Sequence, residues 1–268
     1  MPTTKRLWKP NETLGKVSLI KSDVLDAYLF LLRSEETKGN KFREGVSTIS
    51  GIIGSELAEE LPKQRIEITT SVGEKTCGNV LDSKNALFVA ILRSGYSLCS
   101  EIREQYMRDA KIALVDMKRD EKTAVASMNY DGLPKNLSNF DKIFVPDPML
   151  ATGGSATFVL DLLMERGAVQ SNIYLASLVA APEGIIKVHN KFPRLNILLC
   201  AVDGGLNEKK YIINPGLGDF GDKWLAGEKF TVFDEFNEKI LSYPKGSLEP
   251  IVTDISIKSG LTERLTIC

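Results

Sequence analysis

The sequence predicts an α/β fold in which a central, mainly parallel sheet is flanked by helices, with N-terminal helices, a β-hairpin arm and a C-terminal extension. Three observations carry the prediction. Residues 86–92 (ALFVAIL) form a continuous apolar run, the pattern of a strand covered on both faces. Apolar runs at 143–145, 173–180 and 196–202 alternate with segments whose apolar residues recur every three or four positions, the order of a βαβ sheet. A glycine-containing turn, Ala151-Thr152-Gly153-Gly154-Ser155, joins one such strand to one such helix.

The 268 residues suffice for one large domain with appended pieces. Lys and Arg number 34 against 35 Asp and Glu, a net charge of −1. No global field then favours nucleic acid or a membrane surface, and a small molecule is the expected ligand. No apolar run approaches the roughly 18–20 residues that span a bilayer, and residues 1–10 lack the apolar core of a signal peptide. Cys77, Cys99, Cys200 and Cys268 are scattered, with no Cys-x-x-Cys pair and 1 His in the chain, which argues against zinc or a disulfide framework. The expectation is a soluble, cytoplasmic protein with an arm over 1–21, a domain over 22–227 and an extension over 228–268.

In chain order, Ser22 is placed to cap a helix with Leu25, Tyr28, Leu29 and Leu32 on one face. Asn40 is placed to cap a second with Phe42, Val46, Ile49, Ile53 and Leu57. Pro62 ends this helical part, and 65–70 with 74–81 around a Val-Gly turn read as a hairpin. The strand at 86–92 runs into a turn, Arg93-Ser94-Gly95, then a helix at 98–107 and a strand at 112–116. Residues 116–140 lose periodicity and read as a lid or binding loop. After the strand at 143–145 come Asp147, the glycine turn and a helix carrying Ala156, Val159, Leu160 and Leu163, which Gly167 terminates. A strand at 173–180, a short helix to residue 190 and a strand at 196–202 follow. His189, beside Lys187 and Lys191 on that helix, is assigned no role.

Two stretches carry chemistry. Gly153 and Gly154 have no Cβ, so the backbone can approach a ligand closely. The N–H groups of the turn and first helical turn, with the positive end of the helix dipole, suit a phosphate. Thr152 and Ser155 add hydroxyls. A carboxylate at Asp147 would repel that phosphate, so its partners are sugar hydroxyls, directly or through a metal, and the pair points to a sugar phosphate. The second stretch is 211–222 (YIINPGLGDFGD). Gly216, Gly218 and Gly221 spell G-x-G-x-x-G, but Pro215 precedes the pattern and no amphipathic helix is expected after it, which rejects a dinucleotide site. Such a loop can instead offer backbone N–H and C=O groups to the edge of a flat base, with Tyr211 or Phe220 beside the ring.

DPMLATGGS at 147–155 resembles the 5-phosphoribosyl-1-pyrophosphate (PRPP) loop of the phosphoribosyltransferases. The Pro148, Met149 and Leu150 between acid and loop resemble the uracil phosphoribosyltransferase family. Leu-Arg-Ser-Gly at 92–95 is similar to that family's pyrophosphate loop, with Ser94 where Ala is usual. Arg119-Asp120 looks like the Arg-Asp pair of a two-stranded arm that covers pyrophosphate. Arg33, Thr37, Phe42 and Arg43 look like its leading pattern, read here as dimer contacts or scaffolding, and LVAAPEGI at 178–185 is similar again. The resemblance runs over about 31–226 and stops before the extension, whose Phe230, Phe233, Phe236 and Tyr243 suggest packing on the domain or on a partner subunit.

The resemblance implies a type I phosphoribosyltransferase fold and a reaction of pyrimidine salvage: uracil and PRPP give UMP and pyrophosphate. It implies Mg²⁺ held mainly through PRPP, with no protein ligand assigned, and a homodimer or larger homo-oligomer without nucleic acid or membrane partners. Carried over residue by residue, Arg93, Arg119 and Asp219 are catalytic. PRPP is bound by Arg93, Arg119, Asp147, Pro148, Met149, Leu150, Ala151, Thr152, Gly153, Gly154, Ser155 and Asp219, and uracil by Met149, Tyr211, Ile212, Gly218, Asp219 and Phe220. Asn214 makes the 211–219 segment one residue longer than the family pattern, either as a bulge or as a register shift that puts Ile213 in place of Ile212. Two other readings stay open: a nucleotide or PRPP sensor without turnover, acting through the extension, and an enzyme for a different base.

Overall fold

The computed structural model describes residues 3–6, 15–119, 126–207 and 212–226. Tyr211, Asp120, the Arg119 side chain and the extension over 228–268 lie outside them.

The chain opens with β1 (Thr3–Arg6) and β2 (Val17–Lys21), then α1 (Asp23–Arg33) and α2 (Asn40–Ala58). Ser22 caps α1 as expected, its hydroxyl accepting from the Leu25 N–H at 3.4 Å. Two expectations are corrected here. Val17–Lys21 is not the end of an arm but a strand of the main sheet, parallel to β11, and β1 pairs back on it antiparallel. Five residues of mixed polarity carry little strand signal alone; burial of Val17 and Ile20 against the domain supplies it. The cap of α2 is Gly39, at φ +59°, not Asn40. Asn40 is the first helical residue, and its side-chain oxygen accepts from Arg43 Nη2 at 2.6 Å.

The hairpin β3 (Lys63–Thr69) and β4 (Lys75–Leu81) stands apart as its own two-stranded sheet. There follow β5 (Ala86–Ile91), α3 (Ser94–Tyr106), β6 (Lys111–Arg119), β7 (Ala126–Asp131), β8 (Lys142–Pro146) and β9 (Met149–Leu150). Then come α4 (Gly154–Glu165), β10 (Ile173–Ala180), α5 (Pro182–Lys191), β11 (Asn196–Val202), β12 (Leu206–Asn207), β13 (Ile212–Ile213) and α6 (Phe220–Leu225).

Among the described residues the main sheet has the order β1-β2-β11-β10-β8-β5-β6-β7, with β9 also on β10. From β2 to β6 every pairing is parallel, and only the edges, β1 on β2 and β7 on β6, are antiparallel. Within the aperiodic stretch after residue 116, residues 116–119 and 126–131 pair as β6 running out and β7 returning, with a bulge at Asp116/Met117.

Residue alternation builds two cores from the same strands. Phe88 and Ala90 of β5 and Phe144 of β8 face α1, α2 and α3, where they meet Leu25, Phe42, Ile49 and Leu98. Leu87, Val89, Ile91, Ile143 and Val145 face α4 and α5, against Val159, Leu160, Leu163 and Val188. Every residue of β5 and of β10 is buried, which is why these segments read as unbroken apolar runs. At the end of α4, Gly167 takes φ +82°; its N–H bonds the Met164 carbonyl and that of Ala168 the Leu163 carbonyl, both at 3.0 Å, as a glycine-terminated helix requires.

Candidate active site

Because β5, β8, β10 and β11 are parallel, their carboxyl ends lie along one edge of the sheet, where ligands of open α/β sheets collect. Pairing of β8 with β10 continues in register past the strand end. Asp147 N–H donates to the Ala176 carbonyl at 2.9 Å, the Pro148 carbonyl accepts from Leu178 and Val179, and β9 pairs Met149 with Val179 and Leu150 with Ala180. The chain then turns through Ala151 and Thr152 to Gly153, at φ +71°, and α4 begins.

The first intrahelical bond of α4 runs from Thr157 N to the Gly153 carbonyl at 2.9 Å. The amides of Gly154, Ser155 and Ala156 precede it and have no carbonyl partner within the helix. Thr152 Oγ1 accepts from the Gly154 N–H at 3.3 Å, which leaves the Thr152 hydroxyl hydrogen for a ligand. Asp147 and residues 149–156 line a cavity of about 170 Å³ here. It is a preformed anion cradle at a helix N-terminus.

Helix α5 braces the cradle from behind. A Cβ on Gly184 would stand 2.4 Å from the Ala151 carbonyl oxygen and 2.9 Å from that of Leu150, and one on Gly153 would stand 3.0 Å from the Gly184 carbonyl. Gly184, in the first turn of α5, allows the helix and the 150–153 loop to touch.

Asp147 is half-buried at the mouth of the cradle. Loss of hydration raises its carboxyl from 3.8 to about 6, a hydrogen bond from the Met149 N–H opposing the shift. Beside it, burial and then the Asp147 charge push the Cys99 thiol of α3 well up, keeping that buried cysteine a neutral packing group.

The expected Arg93-Ser94-Gly95 turn is instead the start of α3: Arg93 is its N-cap residue and Ser94 its first helical residue, after a cis Leu92–Arg93 peptide. A Cβ on Gly95 would come within 3.0 Å of the Pro146 carbonyl, so this helix start abuts the end of β8. Arg119 is the last residue of β6.

The glycine-rich stretch hangs from the end of β11. Asp203 N–H donates to the Ala180 carbonyl, β12 pairs Leu206 with Ile213 and Asn207 with Ile212, and Asn214 exchanges bonds with Gly204 and Gly205. Asn214 thus closes the small hairpin before a cis Asn214–Pro215 peptide. Ile213 is 2% exposed within the core and Ile212 is half-buried on the other side of the strand. Gly216 and Gly218 have φ of +59° and +74°.

Two expectations fail at the end of this stretch. A helix does follow the glycines, α6, with Asp219 as its cap accepting from Asp222 N at 2.9 Å. It is six residues long and no described strand succeeds it, so the βαβ context of a dinucleotide fingerprint is still missing. Phe220 cannot flank a base with its ring, which is 1% exposed and packed edge-on against Phe42 at 5.2 Å and stacked on Trp224 at 6.0 Å. Only its backbone remains for recognition.

Sequence reasoning passed over Asp203, a buried acid 3% exposed and bonded through both oxygens to Arg33. Its signal was an acid directly after an apolar strand and before Gly204-Gly205. Arg43, expected as scaffolding or a dimer contact, donates to the Trp224 carbonyl at 2.7 Å and so ties α2 to α6.

The sequence profile of the uracil phosphoribosyltransferase family matches residues 19–225. The chain belongs to this family. Among its relatives, the uracil phosphoribosyltransferase of Streptococcus mutans is 39% identical over 216 residues, covering 81% of this chain and 100% of that one. The Lactobacillus delbrueckii enzyme of the same name is 38% identical over 210 residues, covering 78% and 98%. The solved structure of an Aquifex aeolicus protein superposes with a TM-score of 0.69 at 27% identity, over 79% of this chain and 98% of the other. The type I phosphoribosyltransferase fold is thereby established for the chain, and residues 19–225 are its family domain.

The contact of α5 with the phosphate loop yields a prediction. Gly184→Ala pushes the Ala151 carbonyl aside, and its affinity for ribose 5-phosphate, measured by calorimetry, falls about tenfold or more through misplacement of the loop. Unchanged affinity would show that the loop holds its shape without α5.

Proposed function

We propose that this chain catalyses transfer of the ribose 5-phosphate unit of PRPP to uracil, forming UMP and releasing pyrophosphate in pyrimidine salvage. The observation that carries the reading is that the 147–156 cradle and the segments 203–207 and 212–219 lie at one edge of one sheet, in a member of this family.

In this reading the bond from the ribose anomeric carbon to a pyrophosphate oxygen breaks, a bond to N1 of uracil forms, and N1 loses its proton. The cradle from Ala151 to Ser155 holds the 5′-phosphate, far from the reacting carbon, and supplies orientation. Asp147, with Pro148, Met149 and Leu150 around it, accepts from the ribose hydroxyls. Arg93 and Arg119 stabilise the charge that builds on the leaving pyrophosphate. Uracil lies against Met149 and Tyr211, its alternating N–H and C=O groups matched by the backbone of Ile212, Gly218, Asp219 and Phe220, while the Asp219 carboxylate faces PRPP.

Among the described residues no three His, Cys, Asp or Glu side chains gather to hold a metal ion. A donor set of one carboxylate, Asp147, plus phosphate and sugar oxygens fits Mg²⁺, which prefers substrate oxygens and water to an all-protein cage. When bound it neutralises pyrophosphate charge. Among the described residues no helix is long and apolar enough to cross a membrane. The chain acts in the cytoplasm as a homodimer or larger homo-oligomer.

The reaction is tested by giving purified protein uracil, PRPP and Mg²⁺, with cytosine, hypoxanthine and no base as controls; UMP and pyrophosphate form with uracil alone. Binding of PRPP without product from any base would replace the enzyme by a sensor. Arg93→Ala lowers kcat by about 10²–10³, the scale of losing one preorganised electrostatic partner, and an unchanged kcat removes Arg93 from the mechanism.

The Asp147 carboxyl adds a pH dependence. With its value raised to about 6 in the folded protein, the empty fold binds this proton more tightly than the unfolded chain. Its contribution to stability therefore declines as pH rises from about 4 to about 6 and is level above. Hydroxyl binding needs the ionised form, so PRPP affinity has the opposite slope: it rises through this window by up to about tenfold per pH unit and then levels. Asp147→Asn binds PRPP more weakly and keeps only the slope due to the ligand's own phosphates. Identical profiles for the two proteins would detach Asp147 from the sugar.

A further inference from the structure

Arg33 ends α1 and Asp203 directly follows β11, 170 residues later, yet they meet as a bidentate pair. Arg33 Nη1 donates to Asp203 Oδ2 at 2.8 Å and Nη2 to Oδ1 at 2.7 Å. The pair also takes both polar groups of one residue in the glycine-rich loop. Arg33 Nη1 donates to the Gly216 carbonyl at 2.7 Å, and the Gly216 N–H donates to Asp203 Oδ2 at 2.8 Å. Gly216 is where that loop turns, at φ +59°, with no room for a Cβ, which would stand 2.3 Å from the Ile213 carbonyl oxygen.

A brace between α1 and the end of β11 needs only the two guanidinium–carboxylate bonds. The bonds to Gly216 go further and set the position of a loop backbone. They are not needed to dock α6, which is held separately: Lys223 Nζ donates to the Leu32 carbonyl at 2.6 Å, Gly39 N–H to the Lys223 carbonyl at 2.9 Å, and Arg43 to the Trp224 carbonyl. The elements on either side are short, β13 two residues and α6 six, and besides the pair the loop is anchored by Leu217, 1% exposed in the core.

We propose that the Arg33–Asp203 pair is a positioning device for base recognition: by holding the Gly216 peptide it sets where the backbone of Gly218 and Asp219 presents its N–H and C=O groups, and so which heterocycle edge the site accepts. The proposal rests on the reading of residues 212–220 as the uracil site. Neither residue touches substrate. Arginine suits the role because its planar fork serves the carboxylate and the carbonyl together. A lysine at the same place keeps the buried carboxylate neutralised but cannot reproduce three bonds in fixed directions.

The test uses the full chain as wild type, Arg33→Lys and Asp203→Asn. Steady-state kinetics are measured with uracil varied at saturating PRPP and the reverse, alongside PRPP affinity by calorimetry and thermal melting. Arg33→Lys raises the uracil KM about 10–100-fold, the scale of an ångström-level misplacement, and lowers PRPP affinity by much less, because only Asp219 of the displaced loop faces PRPP while the 151–155 cradle stays in place. It also narrows the preference for uracil over cytosine. The double variant is no worse than the worse single one, because the two residues act as a unit.

Equal losses toward uracil and PRPP, or a lowered melting temperature with an unchanged uracil KM, would reduce the pair to a plain brace. If Asp203→Asn does not accumulate as folded protein, Arg33→Lys decides alone. A wild type that turns over no uracil overturns the proposed reaction, whereas an active wild type beside an Arg33→Lys variant with normal uracil KM overturns only the positioning role.

Discussion

Burial of the central strands on both faces is the constraint on which the rest of the molecule depends. β5 and β10 expose none of their residues appreciably, so neither face of the sheet centre can present a polar group to a ligand. The chain's chemistry is pushed to the strand ends. Parallel pairing then does the gathering: strands far apart in sequence all finish at one edge, and whatever follows Ile91, Pro146, Ala180 and Val202 becomes neighbouring surface. Arg93, Asp147 and Asp203 each follow such a strand by one or two residues.

Close approach comes next. Helix α5 lies directly against the 150–153 loop, and that contact exists only while Gly184 and Gly153 lack side chains. At the mouth of the cradle, burial strips water from Asp147 and lifts its carboxyl to about 6, into the range where a modest pH change titrates it. A ligand hydroxyl that bonds the ionised form pulls the titration back down, coupling binding to proton release.

The glycine-rich stretch is the opposite kind of structure. A two-residue strand and a six-residue helix are far too short to be stable alone. Their order is borrowed from α1 and α2, through Arg33, Arg43, Lys223 and the Phe42–Phe220 ring contact. The N-terminal helices therefore do more than cover one face of the sheet. They fix the 212–226 segment, and the Phe220 ring is consumed as an anchor in doing so.

Much of this was legible in the sequence, for local reasons. Two-sided burial wrote β5, β10 and β11 as apolar runs; the need for φ > 0 or close contact wrote Gly153, Gly167 and Gly216; the order of acid, loop and helix at 147–155 announced an anion site beside a sugar site. What required the tertiary structure depends on partners distant in the chain. Val17–Lys21 is a strand only because β11 offers it an edge. Asn40 lost the cap of α2 to Gly39, whose N–H is held by the Lys223 carbonyl nearly two hundred residues on. Phe220 has the composition of a base-stacking residue, and only the position of Phe42 and Trp224 turns its ring inward. Asp203 is the clearest case. Local sequence determines that an acid follows a strand, but its burial, its bond to Arg33 and its hold on Gly216 arise only when three segments with no local relation fold onto one another.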